Sequence, residues 1–448
     1  MTKVAIVSLG CDKNRIDAEK MAKRLEDAGY SLAPTVGEAD CAVINTCGFI
    51  EAAKEEAIGA IFDAVYHKQN GRLKAVVVTG CLAQRYCDEI TRDIPEVDAV
   101  AGLSHNGDIV KTVEEALAGR GIHEAGEPER LELDGERRLS TPAHYAYLKI
   151  AEGCRHHCTY CAIPMIRGGY RSRSEESILD EARALADKGV KELIVIAQDT
   201  TAYGCDIGGD LAGLLYKLND IPGIVRIRVL YGYPDGINDR LLTAFKELPK
   251  LAKYLDMPLQ HCNPEILKLM GRRGDREWLS EIIGSVRDTA PLFAIRTTFI
   301  AGFPCETEAH SRELCEFIAA EGFARSGCFA FSEEEGTAAV KLPHKHSDAV
   351  KQRRADNVSR ACYNAMLEFQ KKRVGTVDYA VAEGRDEETG EYILRGEFDA
   401  PEIDTSILVK SDAPLVMGEF YRVRITGVEG DDVVGTIIDS EPPQEYIK

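Results

Sequence analysis

At 448 residues the chain is long enough for two to four domains, each with its own core. With 44% hydrophobic and 29% charged residues the composition is that of an ordinary soluble protein, and no apolar run approaches a membrane span, so no membrane partner is expected. The net charge of −19 argues against a default nucleic-acid binder and towards a basic partner.

The N-terminus, Met1-Thr-Lys-Val-Ala-Ile-Val7, begins as a strand and not as a signal peptide, so a cytoplasmic location is expected. In a reducing compartment fourteen cysteines argue for metal or catalytic thiols over disulfides. The first segment, residues 1–138, alternates strands and helices. Lys3–Leu9, Cys41–Asn45 and Ala75–Thr79 are short β-rich runs, and Asp17–Ala28 and Glu51–Tyr66 carry helical periodicity. That alternation predicts a parallel sheet covered by helices. Cys11, Cys47 and Cys81 each lie just past the carboxyl end of one of these strands, where open α/β sheets gather their ligand-binding loops. Gly10, Gly48 and Gly80 beside them permit tight turns. One free cysteine is commonly a small buried hydrophobe, but three at matching strand ends predict a three-thiolate cluster site.

A polar stretch, Glu124–Ser140, reads as a linker to the second segment, residues 140–373. Here the βα unit repeats, with strands at Tyr145–Ile150, Leu193–Ala197, Val225–Leu230, Tyr254–Met257, Ala294–Ile300 and Gly327–Phe331. Helical stretches include Ile237–Leu248, Glu277–Arg287, Glu308–Ala320 and the closing Ala349–Arg373, and Ser174 is placed to cap another. Six units predict an open partial TIM barrel and not a closed eight-stranded one.

After the first barrel strand comes Cys154-Arg-His-His-Cys158-Thr-Tyr-Cys161. A CxxxCxxC triplet offers three thiolates, whereas a [4Fe–4S] cube normally takes four, so one iron is left open for a small ligand. Structural zinc is the competing reading, but it usually shows paired CxxC or Cys/His knuckles with four ligands, and His156 and His157 sit poorly inside the loop. Polar residues at later strand ends, among them Gln198, Asp199, Arg228, Gln260 and Arg296, could hold a cofactor or substrate or equally serve structural salt bridges. Gln198 and Arg296 are the two singled out as cofactor contacts, and no residue is assigned as catalytic. Cys305 also lies at a strand end and stays open between packing and a site contact. Cys41, Cys87, Cys205, Cys262, Cys315, Cys328 and Cys362 are read as packing.

The third segment, residues 375–448, is all β in character. Val377–Ala382, Tyr392–Leu394, Tyr421–Ile425 and Val433–Ile438, with turns at Gly384, Gly396, Gly418 and Gly427, predict a small antiparallel β-barrel. It holds 18 Asp/Glu against 6 Lys/Arg, a deficit of 12 charges.

With both cysteine sets in this order, the chain closely resembles the methylthiotransferase family of radical S-adenosylmethionine (SAM) enzymes over nearly its full length. Within it the chain is most similar to the RimO type. Ser8-Leu-Gly-Cys11-Asp-Lys-Asn14, where tRNA-modifying relatives carry a different residue set, is joined by Asn45-Thr-Cys47-Gly-Phe-Ile50, His144-Tyr-Ala-Tyr-Leu-Lys-Ile150 and Gln198-Asp-Thr-Thr-Ala-Tyr-Gly204. Met257-Pro-Leu-Gln-His261 and Asp399-Ala-Pro-Glu-Ile-Asp404 fit as well. Cys305, where the related pattern usually has glycine, Arg171-Ser-Arg-Ser174 and Thr405 depart from it. The resemblance implies an N-terminal cluster domain, a radical SAM partial barrel and a terminal TRAM β-barrel. It implies one [4Fe–4S] cluster on Cys11, Cys47 and Cys81 and a second on Cys154, Cys158 and Cys161. It also implies SAM in two roles, as source of a 5′-deoxyadenosyl radical and as methyl donor to sulfur. The implied activity is that of a transferase of sulfur-containing groups, adding methylthio to the β-carbon of an aspartate on the twelfth protein of the small ribosomal subunit. Its partners are then that basic protein and a reducing electron donor.

The nearest rival is the same chemistry on tRNA adenosine. Its terminal barrel would need a basic surface with stacking aromatics, and the acidic one here would repel phosphate. Another radical SAM methylase or sulfur inserter would account for Cys154, Cys158 and Cys161 but not for the acidic barrel. An iron–sulfur scaffold without catalysis would need no open iron.

Overall fold

The computed structural model describes residues 1–440, so the sequence-derived end of the third segment, residues 441–448, lies outside the described residues. The first sheet has six parallel strands in the spatial order Ser31–Leu32, Lys3–Ser8, Cys41–Thr46, Ala75–Gly80, Ala99–Ala101 and His123–Glu124. Ser31–Leu32, Ala99–Ala101 and His123–Glu124 were not expected from sequence. Each is only two or three residues long, too short to show a period. Cys41–Thr46 and Ala75–Gly80 are buried along their whole length, as expected of parallel strands covered on both faces. Chain order reverses between Lys3–Ser8 and Cys41–Thr46, so a crevice opens at their carboxyl ends. The first helix runs Asp12–Asp27, five residues earlier than its periodicity implies, because its first turn is packed against the neighbouring barrel and carries buried polar residues.

The second sheet also has six parallel strands: Tyr145–Lys149, Glu192–Ile196, Arg226–Val229, Leu251–Asp256, Ala294–Ala301 and Arg325–Ala330 pair in succession and do not close. Ser174 caps the helix Glu175–Asp187 by accepting from the Ser177 N–H. Strand residues facing outward, such as Leu148, Val195, Val229 and Ile295, pack with the helices. Those facing inward, including Tyr147, Ile194, Ile196 and Tyr254, are covered by Ile16 of the first helix, Phe369 of the long helix Asp348–Arg373, and Phe398 and Ala400 of the terminal unit. An open barrel exposes its inner wall, and here other parts of the chain fill it.

The terminal unit is a closed five-stranded barrel of Val377–Arg385, Tyr392–Arg395, Ile407–Val409, Phe420–Glu429 and Asp432–Asp439. Ile407–Val409 closes it by pairing in parallel with Asp432–Asp439, the one departure from antiparallel order. Gly384 and Gly427 are not turns; they sit inside strands at register shifts, where a bulge bends the ladder. Glu124–Ser140 is not a free tether either. Within it Leu131 is buried, and Arg137 is buried against Glu19 and Glu181. Much of the terminal unit's acidity also faces inward. Asp378 and Asp399 pair with Arg373, Asp399 also with Arg325, Glu383 with His144, Glu402 with Arg15 and Asp404 with Arg296. The acid left fully exposed includes Glu387, Glu388, Asp412 and Glu429.

Candidate cofactor sites

The first thiol set forms where the reversal of strand order opens the sheet edge. Cys11 caps the first helix, Cys47 follows Cys41–Thr46, and Cys81 opens the short helix Cys81–Arg85. The approach of their loops is close. A methyl group on Gly10, which has φ +86°, would lie 2.7 Å from Cys47 Cβ and 2.9 Å from its sulfur, and one on Gly48 would lie 3.0 Å from the Cys81 carbonyl carbon. Asn14 ties two of these loops together: its Nδ2 donates to the carbonyls of Leu9 at 2.7 Å and of Asn45 and Thr46 at 3.2 Å. Burial pushes the Cys81 thiol up to about 12 and the Cys47 thiol up as well. Arg167, 1% exposed, hydrogen-bonds Cys81 and opposes that shift in both.

Arg167 also closes a buried network between the two α/β units. It donates to Asp17 at 3.1 Å, to both Glu152 oxygens at 3.1 Å and to Asn14 at 3.3 Å. Lys149 donates to Asp17 at 2.7 Å and to Glu152 at 2.8 Å. Burial alone would raise the Glu152 carboxyl, but Arg167 and Lys149 hold it far below the usual carboxylate range. Gln198 donates to Glu152 through Nε2, while its Oε1 is buried with no partner among the described residues.

The second set lies in one loop at the mouth of the partial barrel. The loop is pinned by the Thr159 N–H on the Met270 carbonyl at 2.9 Å and the Thr159 hydroxyl on the Leu269 carbonyl at 2.7 Å. Cys158 Sγ lies 3.6 Å from the Tyr233 hydroxyl and 3.9 Å from Arg272 Nη1, and Arg272 stacks over the Tyr233 ring. Burial pushes Cys154 up to about 11 and Cys161 up to about 12. His156 lies flat on Tyr233, with ring centres 3.6 Å apart, and its Nε2 is 2.7 Å from Asp199. Among the described residues no three His, Cys, Asp or Glu side chains converge tightly enough to hold a single metal ion. A cube spreads its thiolates over separate irons and asks for wider spacing. Three thiols facing a guanidinium in each place therefore fit a cluster, whose thiolates carry charge that an apolar site alone would oppose.

One short loop joins the two sets. Tyr231 and Tyr233 follow the strand Arg226–Val229. Tyr233 faces Cys158, and the Tyr231 hydroxyl donates to Asp12 Oδ2 at 2.9 Å, next to Cys11. Tyr231 at φ +62°, Gln260 at +71° and Cys305 at +69° sit in the left-handed region just past three successive barrel strands. Non-glycine residues there cost about 1–3 kcal/mol each and persist at functional sites.

Arg296 pairs with Asp256 at 3.1 Å and Asp404 at 3.6 Å, and it is a quarter exposed at the barrel's inner wall. Arg228 lies outside the site: it is fully buried against Glu192 and the carbonyls of Gly396 and Glu397. The Cys305 sulfur donates to the Pro343 carbonyl at 3.4 Å, and Cys205 is exposed. His261 has a buried Nε2 without a partner among the described residues, accepts the N–H groups of Cys262 and Asn263 at Nδ1, and is held neutral by burial, its pKa lowered to about 3. Lys13, Arg167, Arg272, Tyr231 and Tyr233 were missed from sequence. Only Lys13, two residues past Cys11, carried a signal by position.

Residues 3–102 match the model of the uncharacterized protein family UPF0004, residues 148–318 that of the radical SAM superfamily, and residues 374–438 that of the TRAM domain. The chain is 42% identical over 442 residues to the ribosomal protein uS12 methylthiotransferase RimO of Desulforamulus reducens, covering 98% of this chain and all of that one. It is 42% identical to the protein of that name from Clostridioides difficile (98% and 99% covered) and 41% to that from Geobacter sulfurreducens (97% and 98%). Among solved structures it is similar in fold to the radical SAM methyltransferase TsrM of Kitasatospora setae, with a TM-score of 0.55, 14% identity, and 73% of this chain and 72% of that one covered.

Proposed function

The chain belongs to the RimO family of ribosomal protein uS12 methylthiotransferases, and from that premise we propose that it adds a methylthio group to the β-carbon of an aspartate of uS12. It is a radical SAM enzyme, a transferase of sulfur-containing groups that uses SAM and a [4Fe–4S] cluster. The observation that carries the proposal is the meeting of two three-thiol sets across the Tyr231–Tyr233 loop. When bound, a cluster on Cys154, Cys158 and Cys161 would supply the electron that cleaves SAM, and a second on Cys11, Cys47 and Cys81 would supply a holder for the sulfur to be transferred.

The chain's own residues then bind, orient and shield. Gln198 Oε1, without a partner among the described residues, would accept from the amino group of bound SAM, and Glu152 fixes that amide from the other side. Arg296, its charge already answered, contributes by holding Asp256 in place. Arg272 and Arg167 offset thiolate charge in their respective sets. Tyr160, Phe303 and Phe331 pack behind the second set and exclude water from it. The exposed acids of the terminal unit favour a Lys/Arg-rich protein and disfavour stable binding of nucleic acid. A separate electron donor and a cytoplasmic setting complete the reading.

The test is anaerobic turnover of the reconstituted protein with SAM and reductant, offered uS12 and, separately, total tRNA, and read by mass spectrometry. One added methylthio group on an aspartate of uS12 is the expected result. The same group on tRNA adenosine would overturn the substrate and keep the chemistry.

A further inference from the structure

Lys13 is 6% exposed, yet no hydrogen-bond acceptor or carboxylate among the described residues reaches its nitrogen. Its Nζ lies 2.8 Å from the centre of the Tyr231 ring and makes no hydrogen bond among the described residues. The acidic groups around it, Cys11 foremost and then Asp12 and Asp256, act on it without a hydrogen bond, and Arg167 opposes them. A buried amine whose donors meet only a ring face is costly, because its lost hydration is not replaced by an acceptor.

The other cations around the two thiol sets are all engaged. Lys149 and Arg167 share Asp17 and Glu152, Arg296 holds Asp256 and Asp404, and Arg15 holds Glu402 at 2.8 Å. Arg272 is taken by the Pro258 carbonyl at 2.7 Å and the Tyr160 hydroxyl at 3.3 Å. Among the described residues Lys13 alone combines burial, an unmet donor and a place between the sets. It follows Cys11 by two residues and lies on the ring of Tyr231, whose loop reaches Cys158 through Tyr233. The left-handed backbone at Tyr231 and its hydroxyl on Asp12 hold that ring in position.

We propose that Lys13 is the specificity-determining residue that receives the side-chain carboxylate of the target aspartate. This rests on the reading of uS12 as the substrate. A carboxylate arriving beside Tyr231 supplies the hydrogen-bond acceptor that Nζ lacks, while the ring face backs the amine. The adjacent β-carbon is then presented between the two thiol sets. A neutral base edge offers no such charge, so the same contact discriminates against a nucleotide.

The test measures binding by the cluster-loaded protein without reductant, so that no turnover intervenes. Wild type and Lys13→Met are titrated with uS12 and with uS12 carrying Asn in place of the target aspartate. Wild type is expected to prefer the aspartate form by about tenfold to a hundredfold. Lys13→Met should bring that preference within about threefold, chiefly by weakening binding of the aspartate form, and Lys13→Arg should retain it. Lys13→Gln serves if the Met variant does not fold. Equal binding of both forms by wild type overturns the proposal without any variant. So does a Lys13→Met variant that loses both forms equally, or one that keeps the preference and alters only the EPR signal of the N-terminal cluster. If wild type also fails to modify uS12, the substrate reading has failed; if it modifies uS12 yet binds both forms equally, only this inference has.

Discussion

Cys154, Cys158 and Cys161 are held by one short loop that is pinned by Thr159 to the helix end at Leu269 and Met270. Cys11, Cys47 and Cys81 instead hang from three separate strands, and meet only because a parallel sheet brings those strand ends together. Both sets face a guanidinium, but Arg272 is held by a carbonyl and a hydroxyl whereas Arg167 is locked into a buried network with Asp17, Glu152 and Lys149. A local site can form once its loop is in place. A dispersed one needs the whole sheet, the neighbouring barrel and the charges between them.

The largest expected effect separates the two sets by chemistry. Replacing Cys154, Cys158 and Cys161 with Ala should abolish 5′-deoxyadenosine formation. Replacing Cys11, Cys47 and Cys81 should leave that product and abolish methylthiolation, both read by chromatography and mass spectrometry. Methylthio transfer by the second variant would end the division of labour.

Stability should follow the same asymmetry. Arg167→Met strands two buried carboxylates beside Lys149 alone and should cost about 3–5 kcal/mol in denaturant unfolding of the cluster-free protein. Arg272→Met leaves no carboxylate behind and should cost about 1–2 kcal/mol.

Acid should act on the first site before the second. Glu152 is depressed in the folded state, so its contribution is present above the ordinary carboxylate pKa of about 4.5 and is lost as pH falls below it. Hydrogen exchange of the cluster-free protein at pH 3 should therefore show the amides of Asp12–Asp27 and Ile163–Arg167 losing protection relative to pH 7 more than those around Thr159 and Met270. Equal loss in both regions would put the two sites on one common frame. The smallest effect is expected at the rim. Arg15 and Glu402, 30% and 44% exposed, clamp the first helix to the terminal unit, and Glu402→Gln should cost no more than about 1 kcal/mol in the same unfolding assay.

The two cysteine patterns stand out in the sequence because a cysteine beside a glycine at a strand end and a CxxxCxxC run are local features in β-rich surroundings. The six barrel strands were legible for the same reason, each being a short β-rich run between helical stretches. What failed was whatever depends on distant pairing. Ile407–Val409 is three residues long and owes its strand to a partner at Val433–Gly435. The first turn of the helix Asp12–Asp27 is polar in sequence, yet Lys13, Asn14 and Asp17 are buried against residues far along the chain. The net acidity of the terminal unit overstates its surface charge in a similar way. A charge count has no direction, and Asp378, Asp399 and Asp404, whose side chains are buried, spend theirs on Arg373, Arg325 and Arg296. The strained backbone at Tyr231 and Gln260 has no signal at all, since neither residue type favours a left-handed conformation.

The inner wall of the partial barrel has a consequence for biosynthesis. Tyr254, Ile194 and Ile196 are covered in part by Phe398 and Ala400, and Arg226 and Arg228, both fully buried, donate to the carbonyls of Gly396 and Glu397. During translation the barrel emerges before those residues exist, so its wall is bare and two guanidinium groups lack their acceptors until the last unit is made. A chain interrupted near residue 374 would carry every cysteine of both sets and still present an apolar, half-charged trough to the quality-control machinery. Nonsense changes late in the coding sequence should thus act through loss of protein, long before any question of chemistry arises.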